Sequence, residues 1–131
     1  MELTKYSRNR FLDTMVHWHM PKDYADPIYN YLVYGFNPGS FFTSVFANDF
    51  IMAVTRSHPA NTIGALKTVS AWIVNSCPPE AWGSYDQVQA WQKMGAKRRR
   101  TCLEQRDLVY TEQQEIMMAL ENQPTVEPFF Y

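Results

Sequence analysis

The feature that most constrains this chain is the spacing of its prolines and glycines, which divides it into short stretches. Within these stretches, apolar residues recur every three or four positions, as they do along one face of an α-helix. No stretch of useful length alternates apolar and polar residues as a half-buried β-strand would. We therefore predict an all-α fold, a compact single-domain bundle of about five to six helices.

Local signals place the ends of the predicted helices. Gly35 stands where a left-handed residue would end the second helix, and Ser40 stands where a side-chain cap would begin the third. Ser84 and Gln87 fit a reciprocal capping box at the start of the fifth helix. The predicted helices are residues 4–20, 27–34, 40–55, a stretch ending near 76, one beginning after 84, and 103–122, where Val109, Ile116, Met117 and Leu120 form an apolar seam.

The chain is long enough to bury a core, because 131 residues is the size of one ordinary domain. Apolar residues make up 46% and aromatic residues 15%, which excludes a disordered chain. We predict a helical domain over residues 1–123 and a C-terminal aromatic tail over residues 124–131. Because aromatic side chains are also enriched at interfaces, their surplus predicts a homo-oligomer and a tail packed on its own or a neighbouring subunit.

The charge and the cysteine content favour an intracellular protein. The formal net charge is −1, so no overall field attracts nucleic acid or an anionic membrane. Two cysteines, Cys77 and Cys102, are fewer than a small secreted scaffold normally carries. The first residues lack the apolar core of a signal peptide, and the longest apolar stretch, 41–54, is too short to span a bilayer. We predict a cytoplasmic protein with no membrane contact.

The sequence contains no recognisable motif for catalysis or for metal or cofactor binding. The glycines form no phosphate-binding loop, and the cysteines form no CxxC pair. His17 and His19 lie two residues apart, so on a helix they point to different sides and cannot hold one ion together. No nucleophile motif surrounds a serine or a cysteine. We predict a non-enzymatic protein with no catalytic residue, no metal and no cofactor.

The turn before the third predicted helix is a candidate anion site. Asn37, Gly39 and Ser40 precede a helix whose first backbone amides would attract an anion. An ordinary capped turn explains the same residues, and it is the interpretation that we favour.

Asp49 is an unusual carboxylate, because it falls inside the third predicted helix among apolar neighbours and beside Asn48. A partly buried carboxylate requires a partner. Asp49 could serve as a catalytic acid or base, which would make the protein a hydrolase. It could instead be a structural anchor that bonds loop amides or pairs with Arg56. Since a lone carboxylate has no partner for acid–base work, we favour the anchor.

The strongest charge feature is a run of four adjacent cations that follows Gly95, either after a break or as a charged continuation of the helix. The run could grip phosphates while a nearby aromatic ring stacks on a base. It could also meet an acidic patch on a protein partner, or form a solvated surface balanced by neighbouring carboxylates. The candidate binding residues are Lys97, Arg98, Arg99, Arg100, Trp91 and Tyr110.

Three segments in the middle of the chain occur together: the turn YGFNPGSFF at 34–42, the sequence ANDF at 47–50, and Pro78 followed by WGS at 82–84. With Trp91, they resemble small, mostly uncharacterised helical proteins encoded by tailed bacteriophages. The resemblance covers about residues 31–91. It implies a protein made in the cytoplasm of an infected bacterium, and it supplies no catalytic residue.

Two expectations for function follow. The first is a non-enzymatic phage protein that interferes with a host factor or defence system by protein–protein contact, because the chain is small, rich in aromatic residues and uneven in charge. The alternative is a nucleotide- or nucleic-acid-binding protein that uses the basic run at 97–100.

Overall fold

The computed structural model describes residues 2–59 and 61–122, and the regular structure in these ranges is helical throughout. The predicted all-α fold is confirmed, but the predicted number of helices is too low. The predicted tail at 124–131 lies outside the described residues. No helix in the described part of the chain combines the length and apolarity needed to cross a membrane. The eight α-helices in these ranges are α1 (Lys5–His17), α2 (Ala25–Tyr29), α3 (Ser40–Phe46), α4 (Phe50–Arg56), α5 (Ile63–Ser76), α6 (Tyr85–Lys93), α7 (Ala96–Gln105) and α8 (Glu112–Glu121).

The centre of the core is formed by α2 and by the π-helical turn Asn30–Tyr34 that continues it. Tyr31 packs its ring against Phe46 of α3, with 4.7 Å between the ring centroids, and donates its hydroxyl to the carbonyl of Ala81 at 2.7 Å. The indole N–H of Trp91 in α6 donates to the carbonyl of Tyr31 at 3.1 Å. These contacts hold α3 and α6 to one buried segment. Other fully buried side chains of the core are Phe11, Ile28, Leu32, Val33, Val69, Trp72 and Leu103.

Three helices end at left-handed residues other than glycine, namely His19 (φ 58°), Asn48 (φ 61°) and Asp107 (φ 57°). At each site the amide of the following residue bonds to a carbonyl five residues back, which is the Schellman closure of a helix. The predicted helices at 40–55 and 103–122 are therefore wrong, because each contains such an end and is split into two. Glycine is the usual sequence signal for this closure, and it marks none of these three sites.

The helix beginnings agree with the prediction in part. Ser84 caps α6 by accepting the amide of Gln87 at 3.0 Å, as predicted. The Gln87 side chain does not return the bond: its oxygen does not accept the amide of Ser84, and its nitrogen donates to the carbonyl of Glu80 at 2.6 Å. A reciprocal capping box forms instead between Thr111 and Gln114 at the start of α8.

Candidate functional site

The basic run at 97–100 lies in α7, and the structure separates its four cations. Lys97 and Arg98 are exposed, whereas Arg99 and Arg100 are only 6% and 7% exposed. A charged side chain is buried at tolerable cost only where protein groups replace its water. Arg99 and Arg100 are therefore corrected as candidate binding residues, because their partners lie inside the protein.

Arg99 fastens α7 to the end of the π-helical turn. Its Nε donates to the carbonyl of Val33 at 3.2 Å, and its Nη1 donates to the carbonyl of Met94. Burial lowers the pKa of this guanidinium. Carbonyl ends of helices carry partial negative charge, which suits a buried cation. Gly35 leaves room for it in the predicted left-handed conformation (φ 73°), because a Cβ there would lie 3.0 Å from Nη1 of Arg99.

Arg100 forms a buried network with α8 and the N-terminal segment. Its Nη2 donates to the carboxylate of Glu115, and its Nε donates to Glu104 at 3.1 Å. The second oxygen of Glu115 accepts the hydroxyl of Thr4 at 2.6 Å. Burial by itself raises the pKa of the Glu115 carboxyl. Hydrogen bonds from Ser7, Thr4 and the guanidinium outweigh burial, so the pKa lies below its ordinary value.

The two aromatic side chains predicted to stack on a base are enclosed to different degrees. Trp91 is fully buried, so its ring has no face open to a ligand. Tyr110 is half-buried, and the guanidinium of Arg10 covers one face of its ring at 4.7 Å from the centroid. The structure therefore does not assemble the predicted pairing of a basic patch with free aromatic rings.

Lys97 and Arg98, the cations of the run that stay exposed, line an open cavity of about 580 Å³ together with Glu80 and Cys102. Burial, and then the neighbouring Glu80 carboxylate, raises the pKa of the Cys102 thiol to about 11. The thiol is therefore protonated at neutral pH and is a poor nucleophile. Two cations beside one carboxylate give a weak basis for phosphate binding.

The turn before α3 contains one hydrogen bond between a side chain and the backbone. The side-chain oxygen of Asn37 accepts the amide of Gly39 at 2.8 Å. Gly39 (φ 92°) is the N-cap residue of α3, which corrects the prediction that Ser40 is the cap. Ser40 is the first helical residue, and its carbonyl accepts the hydroxyl of Ser44 at 2.8 Å. No described side chain accepts the first backbone amides of α3, so the turn closes locally through Asn37 but lacks the predicted side-chain cap.

Asp49 lies between two helices and not inside one, which corrects its predicted position. It is the N-cap of α4: one carboxylate oxygen accepts the amide of Met52 at 3.3 Å, and the other accepts the hydroxyl of Tyr85 at 2.6 Å. The predicted partner, Arg56, instead donates to the hydroxyl of Ser44 at 2.7 Å. Asp49 therefore ties α4 to α6, as an anchor would, but without the arginine.

The cavity beside Asp49 is small, and its described lining contains no histidine, lysine or cysteine. The cavity beside it holds about 60 Å³, and its polar lining consists of Ser44, Asn48, Asp49 and Ser70. A serine there has no histidine base among the described lining residues that would activate it. Across residues 2–59 and 61–122, no three histidine, cysteine or carboxylate side chains gather as metal ligands would.

A cleft of about 640 Å³ runs between α1 and the loop that precedes α8. Arg10 lines it and is fixed there, because its Nε donates to the carbonyl of Asp107 at 2.8 Å. The carboxylates of Asp13 and Asp107 line the same cleft, so carboxylates outnumber guanidinium groups in it. This balance repels a phosphate and lends the nucleotide hypothesis little support.

Apolar side chains that stay outside the core gather on α4 and α5. Phe50 and Ile51 of α4 are 67% and 74% exposed, and Ile63 of α5 is 71% exposed. Phe50 and Ile63, with Val74, line a groove of about 490 Å³ along α5. We call this feature the α4–α5 groove. Single exposed apolar residues are ordinary, but a contiguous patch of them marks a contact surface.

The α4–α5 groove is also uneven in charge. From Phe50 to Pro79 the sequence contains two cations, Arg56 and Lys67, and no carboxylate. Lys67 lines the groove itself. An apolar surface with cations at its edge complements a partner that combines apolar and acidic side chains.

Helical periodicity alone does not reveal this groove, because it would place Phe50 and Ile63 on the inner faces of their helices. A single helix over 40–55 puts Phe50 on the same stripe as Phe42 and Phe46. The left-handed residue at Asn48 breaks that helix and turns Phe50 outward. The signal that could have revealed the surface is the long stretch without a carboxylate.

Comparison of the chain with protein-family models, with curated proteins and with solved structures finds no match.

Proposed function

We propose that this protein acts by binding another protein through the α4–α5 groove and that it catalyses no reaction. The observation that carries the proposal is the groove lined by the exposed side chains of Phe50, Ile63 and Val74 together with Lys67. A groove lined by exposed apolar side chains on a small domain marks a contact surface. The basic run supplies no competing surface of equal size, because half of its cations are internal.

The shape and charge of the groove define the chemistry of the partner. Its lining follows one face of α5 from Ile63 through Lys67 to Val74, positions that lie four and seven residues apart. At 1.5 Å per residue this stripe is about 16 Å long. A helix laid along it would offer apolar side chains at matching intervals, and a carboxylate at its edge would meet Lys67. We therefore expect an acidic amphipathic helix.

The biological setting of the proposal comes from the resemblance of residues 31–91 to small proteins of tailed bacteriophages. In that setting the partner is a host factor or a component of a host defence system. When this protein binds the acidic helix of the partner, it would interfere with the partner's function in the bacterial cytoplasm.

A capture experiment with matched variants tests the proposal. The tagged full chain is incubated with a bacterial lysate beside a groove variant, Phe50→Ser with Ile63→Ser. The control variant, Lys97→Ala with Arg98→Ala, removes the exposed cations of α7. All four side chains are exposed, so both variants are expected to fold. We expect wild type and control to retain the same host protein in stoichiometric amount and the groove variant to lose it.

Other outcomes overturn the proposal. Retention that survives in the groove variant, or that is lost in the control, places the contact elsewhere. If the wild type retains no protein but binds vesicles of anionic lipid through Phe50 and Ile63, the groove is a membrane-contact surface. A retained protein without an acidic, apolar segment contradicts the charge argument.

A further inference from the structure

A second surface of this molecule has the features expected of a ligand for the α4–α5 groove. Ile116, Met117 and Leu120 of α8 are each more than half exposed. Helical periodicity assigns them, with Val109, to one buried seam, but the structure buries only Val109. Because residues 116 and 120 lie one turn apart with 117 beside them, the three side chains form an outward apolar stripe.

This stripe has acidic edges. From Asp107 to Tyr131 the sequence contains five carboxylate residues and no lysine or arginine. Glu115 is buried, on the side of α8 opposite to the stripe. Glu112 and Glu121 are exposed, and helical geometry places them on the two flanks of the stripe. Helix α8 is thus an amphipathic helix with an apolar centre and acidic edges.

We propose that copies of this chain associate by docking α8 of one copy into the α4–α5 groove of another. One surface is apolar and cationic, and the other is apolar and acidic. Helix α8 has 10 residues. Its length is therefore about 15 Å, close to the stripe of about 16 Å from Ile63 to Val74. When each of two copies places its α8 in the groove of the other, both surfaces of both copies are covered and a closed two-fold dimer results.

The position of α8 directs its outer face toward another molecule. Glu115 holds the helix to Arg100 of α7 and to Thr4 of the N-terminal segment. Breaking these buried bonds would be costly, so α8 does not swing onto the groove of its own chain. A second copy, which brings its own groove, needs no such rearrangement.

This inference rests on the proposed function in so far as both use the same groove. Self-association gives the free protein a resting form in which the groove is covered, and a host partner binds by displacing α8. By mass action, dilution of the protein favours the partner over the second copy.

Charge reversal in the full chain tests the inference. Lys67→Glu makes the groove acidic and repels α8, whereas Glu121→Lys places a cation on α8 and repels the groove. Each substitution acts at both contacts of a closed dimer, so we expect the dissociation constant of self-association to rise on the order of tenfold in either variant. An equimolar mixture of the two variants restores both contacts, because each groove then meets a helix of opposite charge.

Light scattering and sedimentation velocity over a range of concentrations supply the measurement. We expect the wild type and the mixture to approach twice the mass of one chain, and each variant alone to remain closer to one. Leu120→Asp, at an exposed position that does not threaten folding, is expected to reduce association more than tenfold. Larger assemblies with the same dependence on charge would also support docking, as an open arrangement of the same contact.

Two results overturn the inference. One is a wild type that stays a single chain at its highest soluble concentration. The other is self-association that Lys67→Glu, Glu121→Lys and Leu120→Asp leave unchanged. If self-association is absent while lysate capture still depends on Phe50 and Ile63, the inference fails and the proposed function stands. If the chain self-associates as expected but lysate capture does not depend on Phe50 and Ile63, the proposed function fails and the inference stands.

Discussion

Helices α7 and α4 reverse the usual relation between composition and burial. Helix α7 has the more polar sequence, AKRRRTCLEQ, yet it buries Arg99 and Arg100. Helix α4 has the apolar sequence FIMAVTR, yet it leaves Phe50 and Ile51 in solvent and buries Ala53 alone. The two arginines can be buried because carbonyl and carboxylate groups inside the protein accept their hydrogen bonds. Burial in this molecule follows available partners, and the apolar helix supplies the free surface.

The strongest way to break this contrast is to remove Arg100. Arg100→Ala leaves Glu115 buried without its cation, so we expect the free energy of unfolding to fall by about 3–5 kcal/mol. Arg98→Ala, two positions away and exposed, is the matched control and should change it by less than about 0.5 kcal/mol. Urea unfolding followed by circular dichroism measures both. Equal losses of unfolding free energy in the two variants would contradict the claim that the buried Arg100 contributes to stability and the exposed Arg98 does not.

Acid should act on the same network. The pKa of Glu115 is lower in the folded chain than its ordinary value of 4.5, so the folded state binds its proton less readily than the unfolded state. The stability that the carboxylate contributes is therefore complete above pH 4.5 and is lost as the pH falls through the folded value. We expect the difference in unfolding free energy between wild type and Glu115→Gln to shrink below pH 4.5. A difference independent of pH would contradict the network.

The enclosure of Arg99 predicts a smaller effect at Gly35. A Cβ at Gly35 would lie 3.0 Å from Nη1 of Arg99 and 3.1 Å from the carbonyl of Gln92, at a φ of 73°. We expect Gly35→Ala to lower the free energy of unfolding by about 1–2 kcal/mol. Gly64→Ala in α5 is the control, since its nearest neighbour would be 3.6 Å away, and it should stabilise the chain by up to about 1 kcal/mol. A loss at both sites would point to a general intolerance of larger residues.

The smallest expected effect sharpens the other side of the contrast. Phe50→Ser and Ile63→Ser remove side chains that are mostly in water, so each should change the free energy of unfolding by no more than about 0.5 kcal/mol. Phe46→Ser, at a fully buried phenylalanine of α3, should lower it by about 3–5 kcal/mol. Thermal unfolding of the three variants checks the order. A large loss at Phe50 would mean that α4 is part of the core.

Local sequence signals predict the all-helical class, the cap at Ser84 and the left-handed Gly35, because each depends on a few neighbouring residues. They fail at Asn48 and Asp107, since a left-handed asparagine or aspartate is not distinguishable from a helical one by composition. Those two missed ends hid the outward turn of Phe50 and the separate helix α8.

Local signals could not predict the burial of Arg99 and Arg100 for a different reason. The bond from Arg99 reaches Val33, 66 positions earlier in the chain, and the bond from Arg100 reaches Glu115 across a helix end. Only the tertiary fold brings these groups together. The sequence therefore reveals the basic run at 97–100 as an unusual cluster of charge, but it does not reveal that two of its arginines are buried.

Hydroxyl-radical footprinting of the captured complex tests most directly whether the contact surface lies on α4 and α5 rather than on α7. The method reads the solvent exposure of individual side chains in the bound chain and in the free chain diluted until it is a single copy. We predict that oxidation of Phe50 and Ile63 falls on binding while the labelling of peptides around Lys97 and Arg98 is unchanged. Protection around Lys97 and Arg98, with Phe50 and Ile63 still oxidised, would contradict the account.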